Sequence, residues 1–489
     1  MTVVAIVVVL RSAVLVFWEQ AHFDADQAVI GLMAKHLAEG RAFPMFLYGQ
    51  NYIFAVEAWM AAAVFLVTGA SVAALKFPLL VINVVVALLL IRLFEREAKL
   101  RPLYGAAAAI FFVLPPPGTA TTLVQASGVN LEPFLYVLLL WMTRRRPALC
   151  GVIFAIGFLQ REFTAYGVIA LLAIGAIDGV LFTREGLRRI GAAARTAIEV
   201  YLVVTVLKPL STPAGPHTSM ADIHAPANNV RELLGRFCFD PAATLPGIGS
   251  LLTIHWMQLF GLERDPLGDF SIESRVTQGV RGLWIVLAAA MLISIVRVVR
   301  ATAAEARATG AARPRLRREH YFPAYVLLVG LLSAAAFVMG RCGAVGPMRY
   351  VLLSIYAAVG VAAWHLQVER SPRVRRTWMG LVAVWALVSA VAHERLLSEY
   401  LRHPPTGPKR VVIRTLEQRG VRYGIADYWD AYYISFLTKE RIIMKAENFP
   451  RIYDYDRQVE AHMNEAVRVS RTPCAGGEGV VYGFWLCPP

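Results

Sequence analysis

Residues 19–60 read EQAHFDADQAVIGLMAKHLAEGRAFPMFLYGQNYIFAVEAWM, a loop between apolar stretches that combines acids, chain breakers and aromatics. Asp24 and Asp26 stand at the head of a segment in which Val29, Ile30, Met33 and Leu37 recur at helical spacing. A helix of that kind lies along a membrane surface, which places two carboxylates at a helix N-terminus at the depth of the bilayer boundary. The plainest reading makes one of them, Asp24 ahead of Asp26, the cap of that helix. Further on, Glu57 interrupts the apolar run IFAVEAWMAAAVFLVT (53–68). A charge in such a run is costly, so Glu57 should face a polar cavity or a partner, with a structural ion pair as the alternative.

Outward from this loop the chain has the composition of a membrane protein. Of 489 residues, 57% are hydrophobic and 17% charged, with a mean hydropathy of +0.53, which excludes a soluble enzyme. Apolar stretches recur near 3–18, 72–91, 103–115, 130–142, 148–160, 163–182, 197–210, 279–296, 321–339, 348–366 and 377–392. These are eleven candidate transmembrane helices, several of them short enough that their ends must borrow flanking residues. The start, MTVVAIVVVLRSAVLVFW, lacks a basic n-region and a small-residue cleavage site, so it reads as a retained first helix, with Arg11 as a cost. Segment 53–68 is left out of the count as an interfacial or re-entrant helix, because including it reverses the side of everything after it.

The formal charge of +15 suits either a nucleic acid or a membrane with a basic cytoplasmic face, and the position of the arginines decides. Alternate connections carry Arg92, Arg96, Lys99 and Arg101, then Arg144 to Arg146, then Arg184 to Arg195, Arg297 to Arg318, and Arg370 to Arg376. By the positive-inside rule this side is cytoplasmic, so loop 19–71, loop 211–277 and the tail face outward and the N-terminus lies inside. The basic run RATGAARPRLRREH (307–320) has no interleaved aromatics and fits anionic membrane lipid rather than nucleic acid.

The expected organisation is a transmembrane domain over 1–396 and a small extracytoplasmic α/β domain over 400–489, after the linker HPPTGPK. In the tail, VVIRTLEQRG and YYISFLTKE read as helices, VRYGIADY and RIIMKA as strands. Cys150, Cys238, Cys342, Cys474 and Cys487 match no zinc or redox spacing. Only Cys474 and Cys487 stand where a disulfide would be sensible. That bond requires an outward tail, and two free thiols are the alternative.

The acidic pair opening the first outward loop, the helix DQAVIGLMAKHLAEG, the stretch FPMFLYGQNY and the step Glu57-Ala58-Trp59 together resemble the GT-C glycosyltransferases that use lipid-phosphate sugars, among them the protein O-mannosyltransferases and lipid A aminoarabinose transferases. Arg349-Tyr350 and YGIADYWDAYYISF in the tail are also similar to bacterial members. The resemblance implies a polytopic GT-C bundle of about eleven helices in the inner membrane. It implies transfer, with inversion, of a sugar from a polyprenyl-phosphate donor to a glycan, lipid or protein acceptor. Asp26 takes the place of the first acid of the family's Asp-Glu pair, the general base. Gln27 replaces the second, so a role needing two carboxylates falls to Asp24 or Glu57, or is absent. Asp24, Asp26 and Glu57 together are candidates to hold a divalent cation, although no ligand spacing demonstrates one.

One carboxylate suffices to deprotonate an acceptor hydroxyl, while the leaving phosphate needs fixed positive charge at the outer boundary. Arg161, Lys208, Arg341 and Arg349 stand at outward span ends and are the candidates, Arg161 and Arg349 first; snorkelling anchors are the alternative for each. Tyr52, in the loop-1 stretch, and His255, beside Trp256 in LLTIHWMQLF, are further candidates for substrate binding, the latter against a membrane-belt role. Tyr428, Trp429, Tyr432 and Tyr433 suit stacking on a sugar or acceptor, or core packing. A lipid-linked glycan flippase or secondary transporter is the rival reading, and it would be expected to show internal repeats, of which the sequence has none.

Overall fold

Helices occupy each of the eleven apolar stretches in the computed structural model, which describes residues 1–128, 130–211, 241–262, 281–308, 316–340 and 348–489. In chain order they begin with α1 (Thr2–Phe17), α2 (Ala25–Ala38), α3 (Val56–Thr68), α4 (Val72–Arg96), α5 (Pro102–Val113), α6 (Pro117–Leu123), α7 (Glu132–Thr143), α8 (Pro147–Gln160), α9 (Thr164–Ile177) and α10 (Arg184–Ser211). They continue with α11 (Pro241–Ser250), α12 (Trp256–Leu259), α13 (Arg281–Ala308), α14 (Tyr321–Met339), α15 (Ile355–Val368) and α16 (Pro372–Arg402). Arg341, Cys238, Cys342 and most of loop 211–277 lie outside the described residues.

Local chemistry starts and stops these helices. Ser71 and Ser371 accept backbone N–H groups at the heads of α4 and α16, and proline opens α5, α6, α8 and α16 where its missing N–H costs nothing. Five of the described helical stretches (Val72–Arg96, Arg184–Pro209, Ile285–Glu305, Arg318–Met339 and Pro372–Arg402) are each long and apolar enough to cross a membrane. The pair α5 and α6, bent by 84°, makes a sixth if it is one broken span. The remaining apolar helices are shorter and cross only with flanking residues. Helix α3, at 13 residues, is about 20 Å long against roughly 30 Å of hydrocarbon, a length suited to an interfacial or re-entrant element.

Small residues and buried polar bonds set the bundle's packing. Gly330 on α14 and Gly360 on α15 face each other's helix so closely that a Cβ would fall 2.0 Å from the Ala357 nitrogen and 2.4 Å from that of Leu327. Arg11, the costly residue of α1, is buried and donates to Asn83 Oδ1 at 2.7 Å, while Asn83 in turn donates to the Leu79 and Leu123 carbonyls. Lys76 on α4 is likewise buried and donates to the carbonyls of Leu15 and His22, tying α1 and the start of loop 1 to α4.

Loop 1 is built from α2, a two-stranded hairpin of β1 (Phe46–Leu47) and β2 (Gln50–Phe54), and α3. The tail adds α17 (Pro408–Gln418), α18 (Tyr428–Leu437) and α19 (Tyr453–Ala461) around β3 (Tyr423–Ala426), β4 (Ile443–Ala446), β5 (Val467–Ser470), β6 (Glu478–Val481) and β7 (Phe484–Cys487). Strand order is β4-β3-β5-β7-β6, with β4, β3 and β5 parallel and β7 antiparallel to both its neighbours. Cys474 and Cys487 are disulfide-bonded, which closes the alternative of two free thiols, and Cys150 is a free thiol.

Tail and loop 1 are packed together. Phe23 meets Tyr433 and Phe436 with ring centroids 5.4 Å apart in both cases. Gly31 on α2 is a glycine because Phe436 fills the space its side chain would need: a Cβ would sit 2.5 Å from Phe436 Cε2. Arg410 pairs with Glu19.

Candidate active site

Helix α2 fixes the positions of both loop-1 aspartates, and it separates their roles. Asp24 is the N-cap: Oδ1 accepts the Gln27 N–H at 2.9 Å, and Oδ2 accepts the Gln125 side-chain amide at 2.9 Å. Both its oxygens are thus engaged, and the residue is buried. Burial, and after it the charge of Lys76, lowers His22 to about 3, so the imidazole lying 4.0 Å from Asp24 is neutral. Gln27 is also buried, donates to the His22 carbonyl and accepts the Ala126 N–H, so it locks loop 1 onto the α6–α7 connection.

Asp26, two residues later, points away from that network and its side chain remains about one third exposed, at 32%. Its Oδ1 accepts a 2.5 Å hydrogen bond from the Tyr428 hydroxyl at the head of α18, and its Oδ2 lies 3.9 Å from Arg349. Burial and the neighbouring Asp24 charge raise the Asp26 carboxyl above the ordinary aspartate range. The Tyr428 hydrogen bond and the Arg349 and Arg451 charges pull the other way.

Arg349 and Arg161 come together around one ring. The Arg349 guanidinium lies 5.3 Å and that of Arg161 5.6 Å from the Tyr350 ring centroid. Arg161, at the break between α8 and α9, is buried, with its guanidinium also 5.2 Å from the Phe163 ring centroid and Nε 3.4 Å from Glu162. Neither Arg161 nor Lys208 snorkels to a surface: Lys208 is also buried, with its ammonium 5.3 Å from the Phe46 ring of the loop-1 hairpin. Tyr52 belongs to β2, and its side chain lies outside the described residues, as does Arg341.

The other candidates are elsewhere. His255, expected on an interfacial segment, is buried, with its ring centroid 4.7 Å from that of Phe337 on α14. Glu57 is buried in the first turn of α3, beside Glu132, which is also buried at the start of α7. Gln160 donates to the Gly128 carbonyl beside them and accepts from Tyr136 at 2.6 Å. The expected cation site of Asp24, Asp26 and Glu57 is therefore not assembled. The described residues contain no group of three His, Cys, Asp or Glu side chains placed to hold a metal, and Asp24 is engaged as the cap of α2.

Sequence reasoning missed Glu132, Gln125 and the residues that dock the tail. Glu132 had a signal, an acid opening an apolar span, but a first-turn acid equally suits a helix dipole. Glu440 on the tail has no local signal. It meets Lys35 at 2.5 Å, His36 Nε2 at 2.9 Å, the Tyr455 hydroxyl at 2.8 Å and the guanidinium of Arg41. Burial alone would raise its carboxyl, but the hydrogen bonds from His36, Arg41 and Lys35 prevail and hold it well below the usual range.

No protein-family model and no curated protein sequence matches the chain. Solved structures do. The chain is similar to ArnT from Cupriavidus metallidurans bound to undecaprenyl phosphate, with a TM-score of 0.57 and 12% identity over 99% of this chain and 96% of that one. The Archaeoglobus fulgidus oligosaccharyltransferase in its apo form aligns with a TM-score of 0.48 and 11% identity, over 96% of this chain and 69% of that one. The fold assignment rests on the first of these: a mostly helical, polytopic membrane protein with the GT-C fold and a small C-terminal sheet.

Proposed function

We propose that this protein is a membrane glycosyltransferase that moves a sugar from a polyprenyl-phosphate donor to an extracytoplasmic glycan, lipid or protein acceptor. The observation that carries this reading is Asp26: a partly exposed carboxylate in a fold shared with a lipid-phosphate-binding enzyme, with one oxygen held and a guanidinium 3.9 Å from the other. Asp24 supports the site as a cap rather than reacting. Arg349 and Arg161, both within 6 Å of the Tyr350 ring centroid, supply fixed cations for the leaving phosphate, and Lys208 stands as a second-line cation near the loop-1 hairpin. Residues 1–396 form the membrane part, with the arginine-rich connections and the N-terminus cytoplasmic and the tail from 400 outside. The Cys474–Cys487 bond fits that placement, because disulfides persist in oxidising compartments.

The chemistry balances as follows. Donor phosphate draws Arg349 away from Asp26, which frees Oδ2. The acceptor hydroxyl passes its proton to Oδ2 as its oxygen bonds to the anomeric carbon, and the bond from that carbon to the phosphate oxygen breaks with its electron pair leaving on the phosphate. Attack opposite the leaving group inverts the anomeric centre.

The test is transfer of radiolabelled sugar by purified protein from synthetic polyprenyl-phosphate hexoses and pentoses, with an envelope extract as acceptor and Asp26→Asn as the control. Turnover that vanishes in the variant, at equal thermal stability, is the expected result. Turnover that survives removes Asp26 as the base. A wild-type protein that binds these donors without turning any over points to a flippase.

A further inference from the structure

We infer that Tyr428 is a positioning residue for Asp26, so that the active site is completed by the C-terminal tail and not by the membrane helices and loop 1 alone. This rests on the reading of Asp26 as the base.

The two loop-1 aspartates differ in a way that a cap-and-spare pair does not explain. Asp24 has both oxygens satisfied by buried donors, whereas Asp26 has one oxygen taken by a phenol 402 positions away in sequence, and the other reaches Arg349 only at 3.9 Å, beyond hydrogen-bonding distance. An ionised carboxylate offers acceptor sites on both oxygens, so a single strong donor on Oδ1 fixes the rotation of the group and turns Oδ2 toward the cation and the open space. A general base must hold its geometry to a fraction of an ångström, and support of this kind provides that.

Tyr428 is itself rigidly mounted. Its backbone N–H donates to Asn448 Oδ1 at 2.8 Å, and its ring meets Trp429 and Tyr432 edge-on at 5.2 and 5.3 Å. Asp427 caps α18 through the Trp429 N–H at 2.8 Å and accepts the Asn448 amide at 3.0 Å. The Tyr432 hydroxyl accepts the N–H groups of Arg451 and Ile452, and the Arg451 guanidinium stands 6.0 Å from the Tyr428 ring. The tail is in turn clamped to α2 through Glu440, whose backbone, like that of Lys439, is left-handed, at φ of 65° and 54°. Two consecutive non-glycine residues in that region are strained and persist only where contacts enforce them; here the enforced result is that Glu440 reaches Lys35 and His36.

The groups facing Asp26 are Asp24 on its own helix, Tyr428 and Arg451 on the tail, and Arg349 before α15. Tyr428 favours the carboxylate, so deleting its hydroxyl leaves burial and Asp24 less opposed, and the base ionises at higher pH.

The experiment compares wild type, Tyr428→Phe, Tyr428→Gln and Asp26→Asn, as full-length protein, in initial-rate pH profiles with the synthetic polyprenyl-phosphate sugar that the wild type turns over. Tyr428→Phe should lower kcat about tenfold with little change in donor KM, and move the acid limb up by about one pH unit, the amount one hydrogen bond to a charge represents. Tyr428→Gln, which can still donate, should recover part of the loss; if the Phe protein does not fold, Gln against Leu carries the same contrast. A Tyr428→Phe profile that superimposes on wild type, with Asp26→Asn inactive, overturns the positioning role alone. An active Asp26→Asn overturns the base reading and this inference with it, as does a wild type that turns over no donor.

Discussion

Replacing Glu440 should loosen the tail from loop 1, and the structure sets the size of the effect. In Glu440→Ala, Lys35 and Arg41 both keep Glu39, at 2.7 Å in each case, so neither is left without a carboxylate. His36 Nε2 and the Tyr455 hydroxyl lose their buried partner, and each stranded buried polar group costs about 1–3 kcal/mol, giving roughly 2–6 kcal/mol for docking. Because position 440 is left-handed, Glu440→Gly removes the same contacts while relieving strain, and should be milder than Ala by about 1 kcal/mol. Hydrogen exchange in detergent, read over residues 25–38 and 408–487, is the assay. The carboxyl of Glu440 is depressed below its ordinary 4.5, so its contribution is complete above about pH 4.5 and is lost as pH falls through the folded value. Wild-type protection in Glu440→Ala, equal effects of Ala and Gly, or tail protection already lost between pH 7 and 5 would refute the reasoning.

Four further outcomes follow from other contacts. Asp24→Ala should lower stability by about 2–4 kcal/mol, through the lost cap and the stranded Gln125 amide, while Asp24→Asn keeps most of the cap; thermal unfolding distinguishes them. Gly31→Val should displace Phe436 and raise exchange in α2 and α18 together, and unchanged exchange in α18 would contradict the packing. Cys474→Ser should destabilise the tail by roughly 3 kcal/mol, the cost of opening a loop whose ends are 13 positions apart, measured as a lower denaturant midpoint for the tail. Arg349→Gln should raise donor KM at least tenfold in the transfer assay, and a change confined to the acceptor KM would remove it from the phosphate site.

What could be read in the sequence is what one segment determines for itself. Runs of Ala, Leu and Val long enough to exclude water must satisfy their own backbone, so α1, α4 and α14 fall where the hydropathy puts them. The period of Val29, Ile30, Met33 and Leu37 yields α2, Asp24 caps it, and alternation in the tail yields β3 and β4. The break at Arg161 and the paired positions of Arg349 and Tyr350 were visible, but not that both guanidiniums approach the Tyr350 ring.

Tertiary structure decided which of these residues meet. Asp24 and Asp26 are alike in sequence, and only the arrival of Gln125 at one and Tyr428 at the other makes the first a fixture and leaves the second half free. Glu57 carried a sign that it needed a partner, and the fold buries it beside another acid, Glu132, at the start of α7. The disulfide was open between two outcomes until β7 paired beside β5 and brought Cys487 to Cys474. The sequence by itself determined the helices, the membrane and the loop that holds the acids, because apolar burial and backbone satisfaction act over a few turns. Contacts between groups hundreds of positions apart depend on the whole bundle and on the tail folding over it, and no local pattern encodes them.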